Sequence, residues 1–164
     1  MLDLSKLEAG KLVLREEEID LKLMLEELCS ILSPMKAPGV ELQQVIMGEE
    51  KQKQRIVGDL QRWMQLLINL TSNALKVTKR GFVRIEIRLS SAPDVSNIVA
   101  DVRVMDTGPG IDPAQKSRLF RKYEQVNLSS GGCGLGLVIA QKIAGLWNSS
   151  IEVESPWQAD SAGS

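Results

Sequence analysis

The 164-residue chain contains no histidine, so no chemistry of its own can pass through an imidazole. It has only two cysteines, Cys29 and Cys133, which exclude a disulfide framework and suit the reduced thiols of an intracellular protein. Charge of one sign is also missing. Lys plus Arg total 20 against 21 for Asp plus Glu, a net charge of −1, so no basic field draws in nucleic acid or an acidic membrane surface. No apolar run approaches the ~18 residues of a spanning helix. The opening "MLDLSKLEAG" lacks the basic region and apolar core of a secretory signal. There is no internal repeat and no low-complexity tract. These absences point to a cytoplasmic chain with no nucleic-acid partner and no membrane segment. What is present is length enough for one domain and 43% hydrophobic residues for its core.

Helical and strand-like patterns alternate along the chain. Residues 1–9 read as the last turns of a helix capped by Gly10, followed by a short strand "KLVLR", with the acids 16–18 as a solvated edge. Asp20 caps a helix to about Ser33, with Leu21, Met24, Leu25, Leu28 and Leu32 on one face and Pro34 as its stop. "VELQQVIM" (40–47) and "RIVG" (55–58) read as strands. Asp59 then caps a long helix to about Thr78. "FVRIEIRL" (82–89) alternates cleanly, as does "IVADVRVM" (98–105), with a hairpin-type loop between them. Asp112 and Pro113 open a short helix, the glycine run 131–136 opens another to about Trp147, and "IEVES" reads as a closing strand. The expected architecture is a two-layer α/β sandwich, one mixed β-sheet against one helix layer.

Three constellations carry chemistry. On the long helix, Leu60, Trp63, Met64, Leu67, Leu70, Thr71 and Ala74 form the face expected on the sheet. Asn69, Asn73 and Lys76 fall at i, i+4 and i+7 and line a second stripe. That stripe is either a solvated polar face or a place for hydrated Mg²⁺ and phosphate oxygens. In "VRVMDTGPGI" (102–111) a carboxylate ends a strand, and Gly108 and Gly110 permit a tight turn close to a ligand. Asp106 can accept from an amino group such as the exocyclic amine of adenine, or simply make an Asx turn. The "DTG" of aspartic proteases is excluded because that fold is nearly all β. A calcium loop is excluded because acids are missing between Asp106 and Asp112. In "GGCGLGLVIA" (131–140) four glycines precede an apolar helix, as a hinge, a phosphate cradle, or both. No Lys-Ser or Lys-Thr comes after them, so it is not a P-loop, and the spacing is not the dinucleotide fingerprint.

In this order the stretches resemble the catalytic and ATP-binding domain of sensor histidine kinases, within the gyrase–histidine kinase ATPase superfamily. "INLTSNALKVT" (68–78) matches the asparagine box and "DTGPGI" (106–111) the first glycine box. "LFRKYEQV" (119–126) matches the phenylalanine box and "GGCGLGLVIAQKIA" (131–144) the second glycine box. "LDLSKLEAGKL" (2–12) is similar to the end of a dimerisation helix and its exit into the ATPase domain. The resemblance implies residues 1–10 as the end of the phosphoacceptor helix, 11–155 as the ATP-binding catalytic domain, and 156–164 as a tail cut before a last strand.

Carried over by position, Asn73 would hold the Mg²⁺ that bridges the phosphates of ATP, with Asn69 as a polar neighbour and Lys76 meeting phosphate charge. Asp106 would take the adenine amine, with Gly108, Gly110 and Ile111 shaping the base pocket. Gly132, Gly134, Leu135 and Gly136 would lie along the phosphates, the glycines offering backbone N–H groups. Hydrolysing members carry a glutamate at the place of Asn69, where an amide cannot act as base. The implied reaction is therefore phosphoryl transfer to a histidine on a dimerisation domain, upstream or in trans, with a response regulator downstream. Two other readings stand beside it: a non-catalytic nucleotide-binding module, and a serine-directed kinase of the mitochondrial dehydrogenase-kinase type. The sequence departs from the family pattern in places. The lid "NLSS" is short and lacks basic residues, for which Arg121 and Lys122 are the substitutes at hand. Lys122 and Tyr123 replace a proline and a phenylalanine, Cys133 a threonine, and "NSS" (148–150) a pair of glycines.

Overall fold

Asp20, the last residue of a strand, and Asp59, the first residue after one, each start a helix, and the rest of the fold is arranged around those two helices. The structure is a computed structural model that describes residues 13–48, 54–91, 98–116 and 136–155. Strand β1 (Glu17–Asp20) runs into helix α1 (Leu21–Leu32), whose first turn is capped by Asp20 Oδ1 accepting from Lys22 and Leu23 N–H. Leu21, Met24, Leu25, Leu28 and Leu32 are all buried, as their spacing predicts. A short 3₁₀ turn at Ser33–Met35 contains Pro34, which has no N–H to continue the helix. Strands β2 (Gly39–Gly48) and β3 (Arg55–Gly58) come next, and then helix α2 (Leu60–Val77). Asp59 is 3% exposed. Its Oδ1 accepts from Arg62 N–H and its Oδ2 from Arg15 N–H, each at 3.1 Å.

Strand β4 (Arg80–Ser91) pairs parallel to β2 and antiparallel to β5 (Ile98–Asp106), giving a three-stranded mixed sheet in the order β2-β4-β5. Strands β1 and β3 form a separate antiparallel ribbon. Alternation along β4 sends Val83, Ile85 and Ile87 into the core against α1 and α2, fully buried. Each such side chain contributes about 1.5–3 kcal/mol. The opposite face is polar. Arg84 Nε donates to Gln43 Oε1 at 2.8 Å, and Arg88 pairs with Glu86 at 3.4 Å. The hydrogen bond and charge of Asp101 raise the Arg103 guanidinium above its ordinary pKa. Burial likewise pushes the Cys29 thiol up. No helix among the described residues is long and apolar enough to cross a membrane.

Helix α4 (Gly136–Leu146), which comes after the short helix α3 (Pro113–Lys116) in the chain, packs on α2. Trp147, just past α4, packs against Trp63 near the start of α2, with ring centroids 5.5 Å apart and the planes tilted by 39°. Gly136, at the start of α4, lies against Asn69 and Asn73. The two helices therefore run antiparallel. This explains why the apolar face of α2 is wider than its sheet-facing stripe. Leu66 is buried too, packing with Ala140 and Ile143 of α4, whereas Leu75 is buried in the sheet-side core.

Two expected strands differ. Residues 13–16, which include the end of "KLVLR", form no ladder, and the strand begins at Glu17. Arg15 N–H is taken by Asp59, whereas Glu17–Asp20 pair with Arg55–Gly58 and bury only Ile19. "IEVES" is not a strand either: residues 151–155 form no ladder among the described residues. Its last residue is instead tied by a side chain to the turn after β5.

"NSS" has a clear local reason. Asn148 has φ +53, the left-handed conformation. Asn148 N–H donates to Gly145 O and Ser149 N–H to Ala144 O, which closes α4 in a Schellman motif. Asn148→Gly should therefore stabilise the chain by about 0.5–1 kcal/mol, the left-handed cost of a side chain less glycine's greater freedom when unfolded. Chemical denaturation measures it; an unchanged or lower midpoint would refute the assignment of strain.

Candidate functional site

Helix α2 carries both halves of the site. Its polar stripe places Asn69 and Asn73 half-buried and Lys76, one turn further on, exposed. Asn69 Nδ2 is buried and has no hydrogen-bond partner among the described residues. Such a group costs about 1–3 kcal/mol unless something accepts from it. Beside it the N-terminus of α4 opens. A Cβ on Gly136 would lie 3.5 Å from Asn73 Nδ2 and 3.7 Å from Asn69 Oδ1, so bare backbone rests directly on the two amides. The first turn of a helix has unbonded N–H groups and a positive dipole end. Two amides, that helix terminus and a lysine on the same stripe make an environment suited to anionic oxygens.

The other half lies at the C-terminal end of α2. Thr78 is fully buried, and its Oγ1 donates to Ala74 O at 2.8 Å, closing the helix. Over it folds the turn after β5. Asp106 ends that strand, half-buried, and its Oδ1 accepts from Gly108 N–H at 2.9 Å. A Cβ on Gly108 would stand 2.7 Å from Asp106 Oδ1 and 3.2 Å from Val77 Cγ2, so a side chain here would displace the Asp106 carboxylate and crowd the end of α2. Gly110 has φ +75. Thr107 fixes the near end of the turn: its Oγ1 accepts from Phe82 N–H at 2.9 Å and donates to Arg80 O at 3.0 Å. Along α2, Asn73 and Thr78 are separated by about 7.5 Å at 1.5 Å per residue. A carboxylate and its glycine turn thus lie over the C-terminal end of α2, and the amides and the α4 terminus about one to two turns back along it.

The described residues bring together Asn69, Asn73 and Gly136, and separately Asp106, Gly108, Gly110 and Ile111 near the helix end. Gly132, Gly134 and Leu135 lie outside the described residues, as do Arg121, Lys122 and Cys133. Among the described residues no group of three or more Asp, Glu, Cys or His could hold a metal, so a cation here would depend on amide oxygens. Two residues around the site act through partners that only folding brings near: Thr107, bonded to Arg80 and Phe82, and Ser155, bonded to Ile111.

The profile of the family described as "Histidine kinase-, DNA gyrase B-, and HSP90-like ATPase" matches residues 58–163, well over half of the chain. The signal transduction histidine-protein kinase BarA of Escherichia coli K12 is 34% identical over 160 residues, covering 94% of this chain and 17% of BarA. The sensor histidine kinase GacS of Pseudomonas protegens is 34% identical over 159 residues, with the same coverage of 94% and 17%. The chain therefore spans about a sixth of the length of these relatives. Among solved structures, full-length ShkA in complex with AMPPNP superposes with a TM-score of 0.69 at 28% identity, covering 86% of this chain and 28% of ShkA. The mycobacterial sensor histidine kinase MprB shares the fold, with a TM-score of 0.57 at 21% identity over 79% of this chain and 78% of MprB.

Proposed function

Because the chain belongs to the histidine kinase-, DNA gyrase B- and HSP90-like ATPase family, we propose that it is the catalytic domain of a two-component sensor histidine kinase. In this reading it transfers the γ-phosphoryl of Mg-ATP to a histidine on a separate segment or chain, and a response regulator acts downstream. On the same reading residues 11–155 are the ATP-binding unit, and residues 1–10, which lie outside the described residues, would belong to the acceptor segment. The observation that carries the proposal is the meeting of Asn69, Asn73 and the α4 N-terminus at Gly136, with the Asp106–Gly108 turn over the C-terminal end of the same helix.

Each residue has a physical role in that reaction. The Asp106 carboxylate accepts from the exocyclic amine of adenine. Gly108, Gly110 and Ile111 let the base lie against backbone. The buried Asn69 Nδ2, without a partner among the described residues, suits a group rich in acceptor oxygens. Gly132, Gly134, Leu135 and Gly136 lead backbone N–H groups to the phosphates, and Lys76 adds a positive charge. Asn73 would hold Mg²⁺ through its amide oxygen, a hard donor that this cation prefers. When bound, that metal neutralises phosphate charge. The domain then contributes positioning and electrostatics, which dominate phosphoryl transfer.

An amide at position 69 cannot remove a proton from water. Steady-state ATP hydrolysis by the unmodified chain should therefore be very slow, and Asn69→Glu should increase it by restoring a carboxylate near the phosphates. Phosphate release from Mg-ATP measures both. Fast turnover by the unmodified chain would contradict the proposal and place the chain among hydrolysing relatives with a base elsewhere.

A further inference from the structure

The Asp-Gly turn is held at two ends by two hydroxyl groups. Thr107 holds the near end to β4. Between the ends lie Gly108, Pro109 and Gly110, a stretch with two residues of high backbone freedom. At the far end Ile111 N–H donates to Ser155 Oγ at 2.7 Å, across 44 residues of chain. The same oxygen would stand 3.1 Å from a Cβ on Gly110, so it fits closely against bare backbone.

We propose that Ser155 is a positioning residue for nucleotide recognition. It acts through the backbone of Ile111, fixing the far end of the turn so that the Asp106 carboxylate and the base-facing backbone are set before the ligand arrives. The inference rests on the nucleotide-binding reading given above. No ladder partner among the described residues does this work, because β5 ends at Asp106 and the next helix opens only at Pro113. Without the hydroxyl, the Gly-Pro-Gly stretch is held among the described residues only at its near end, by Thr107 and by the Gly108 N–H bond to Asp106 Oδ1, and nucleotide binding has to order its far end. Ordering a loop at the moment of binding weakens affinity, whereas a turn ordered in advance does not incur that loss. The segment 151–155 is therefore part of the nucleotide site, although its contact with the turn is by one side chain rather than by strand pairing.

The test is calorimetric titration of Mg-ATP into the full chain, Ser155→Ala, Ser155→Thr, Asp106→Ala and the Asp106→Ala/Ser155→Ala double variant. Loss of one neutral hydrogen bond should weaken ATP about three- to tenfold in Ser155→Ala. Ser155→Thr keeps the hydroxyl and should bind within about twofold of the parent, a rescue that a purely packing role would not give. In the Asp106→Ala background the same serine change should cost little, because residues acting through one another are not additive. Thermal midpoints recorded on all five proteins separate loss of the turn from loss of the fold. Binding by the parent that Ser155→Ala leaves unchanged, or full additivity in the double variant, overturns this inference alone. Failure of the parent to bind Mg-ATP overturns the nucleotide reading and this inference with it.

Discussion

Asp106→Ala should weaken ATP binding by about 1.5–3 kcal/mol, roughly ten- to a hundredfold, the range for a hydrogen bond to a charged acceptor. A carboxylate accepts through about four lone-pair sites, so the bond from Gly108 N–H leaves it able to take an amine proton as well. Guanine and hypoxanthine carry a carbonyl where adenine carries the amine, and a carboxylate facing a carbonyl is repelled. The parent should therefore prefer ATP over ITP, and Asp106→Ala should erase most of that preference. The ratio is the informative quantity. If the substitution merely loosened the turn, both nucleotides would weaken by the same factor and the ratio would hold. An unchanged ratio, or ATP bound as tightly as by the parent, would remove Asp106 from the base pocket. Asp106→Asn sharpens the test, because it keeps an oxygen for Gly108 N–H but replaces half of the acceptor with donors.

Much of this arrangement is legible along the chain because it obeys local rules. Asp20 and Asp59 precede apolar stripes of period 3.6, and both turn out to cap helices. The alternation from Val83 to Leu89 picks out the core face of β4, and three of its four apolar residues are fully buried. That Asn69 and Asn73 share a face is clear from their spacing alone. What spacing cannot supply is the second partner of each surface. Leu66 reads as off the stripe until α4 is seen to cover it. Glu17–Asp20 hides as a strand because three of its four residues are acids, which are poor strand formers; pairing with Arg55–Gly58 and an Arg55–Glu18 contact of 2.6 Å compensate. "IEVES" has the opposite problem: its alternation predicts a ladder that no described strand provides. The contact of Gly136 with the asparagines, and of Ser155 with Ile111, joins residues more than 40 positions apart, and no window of sequence contains both.

The absence of histidine gives the second large effect. With no imidazole in its 164 residues, the chain cannot become a phosphohistidine protein, however well it binds ATP. Incubated alone with γ-labelled ATP, it should acquire no acid-labile label. An added dimerisation domain carrying the acceptor histidine should be labelled slowly, since two separate molecules must collide and align at each turnover. Fusing that domain upstream of Leu2 converts the encounter into an intramolecular one. A tethered acceptor is present at roughly millimolar effective concentration, so against micromolar separate partners the fusion should be faster by about a hundred- to a thousandfold. The gain depends on geometry as well as on distance, because a tether that cannot bring the imidazole to the phosphate end of α2 contributes nothing. Varying the linker therefore reports on the site: label transfer should peak at one length and fall on either side. Acid-labile label on the chain alone would overturn a histidine acceptor. Tight ATP binding with no transfer in any arrangement would instead leave the chain as a nucleotide-binding module, and the short "NLSS" lid would be the first segment to replace.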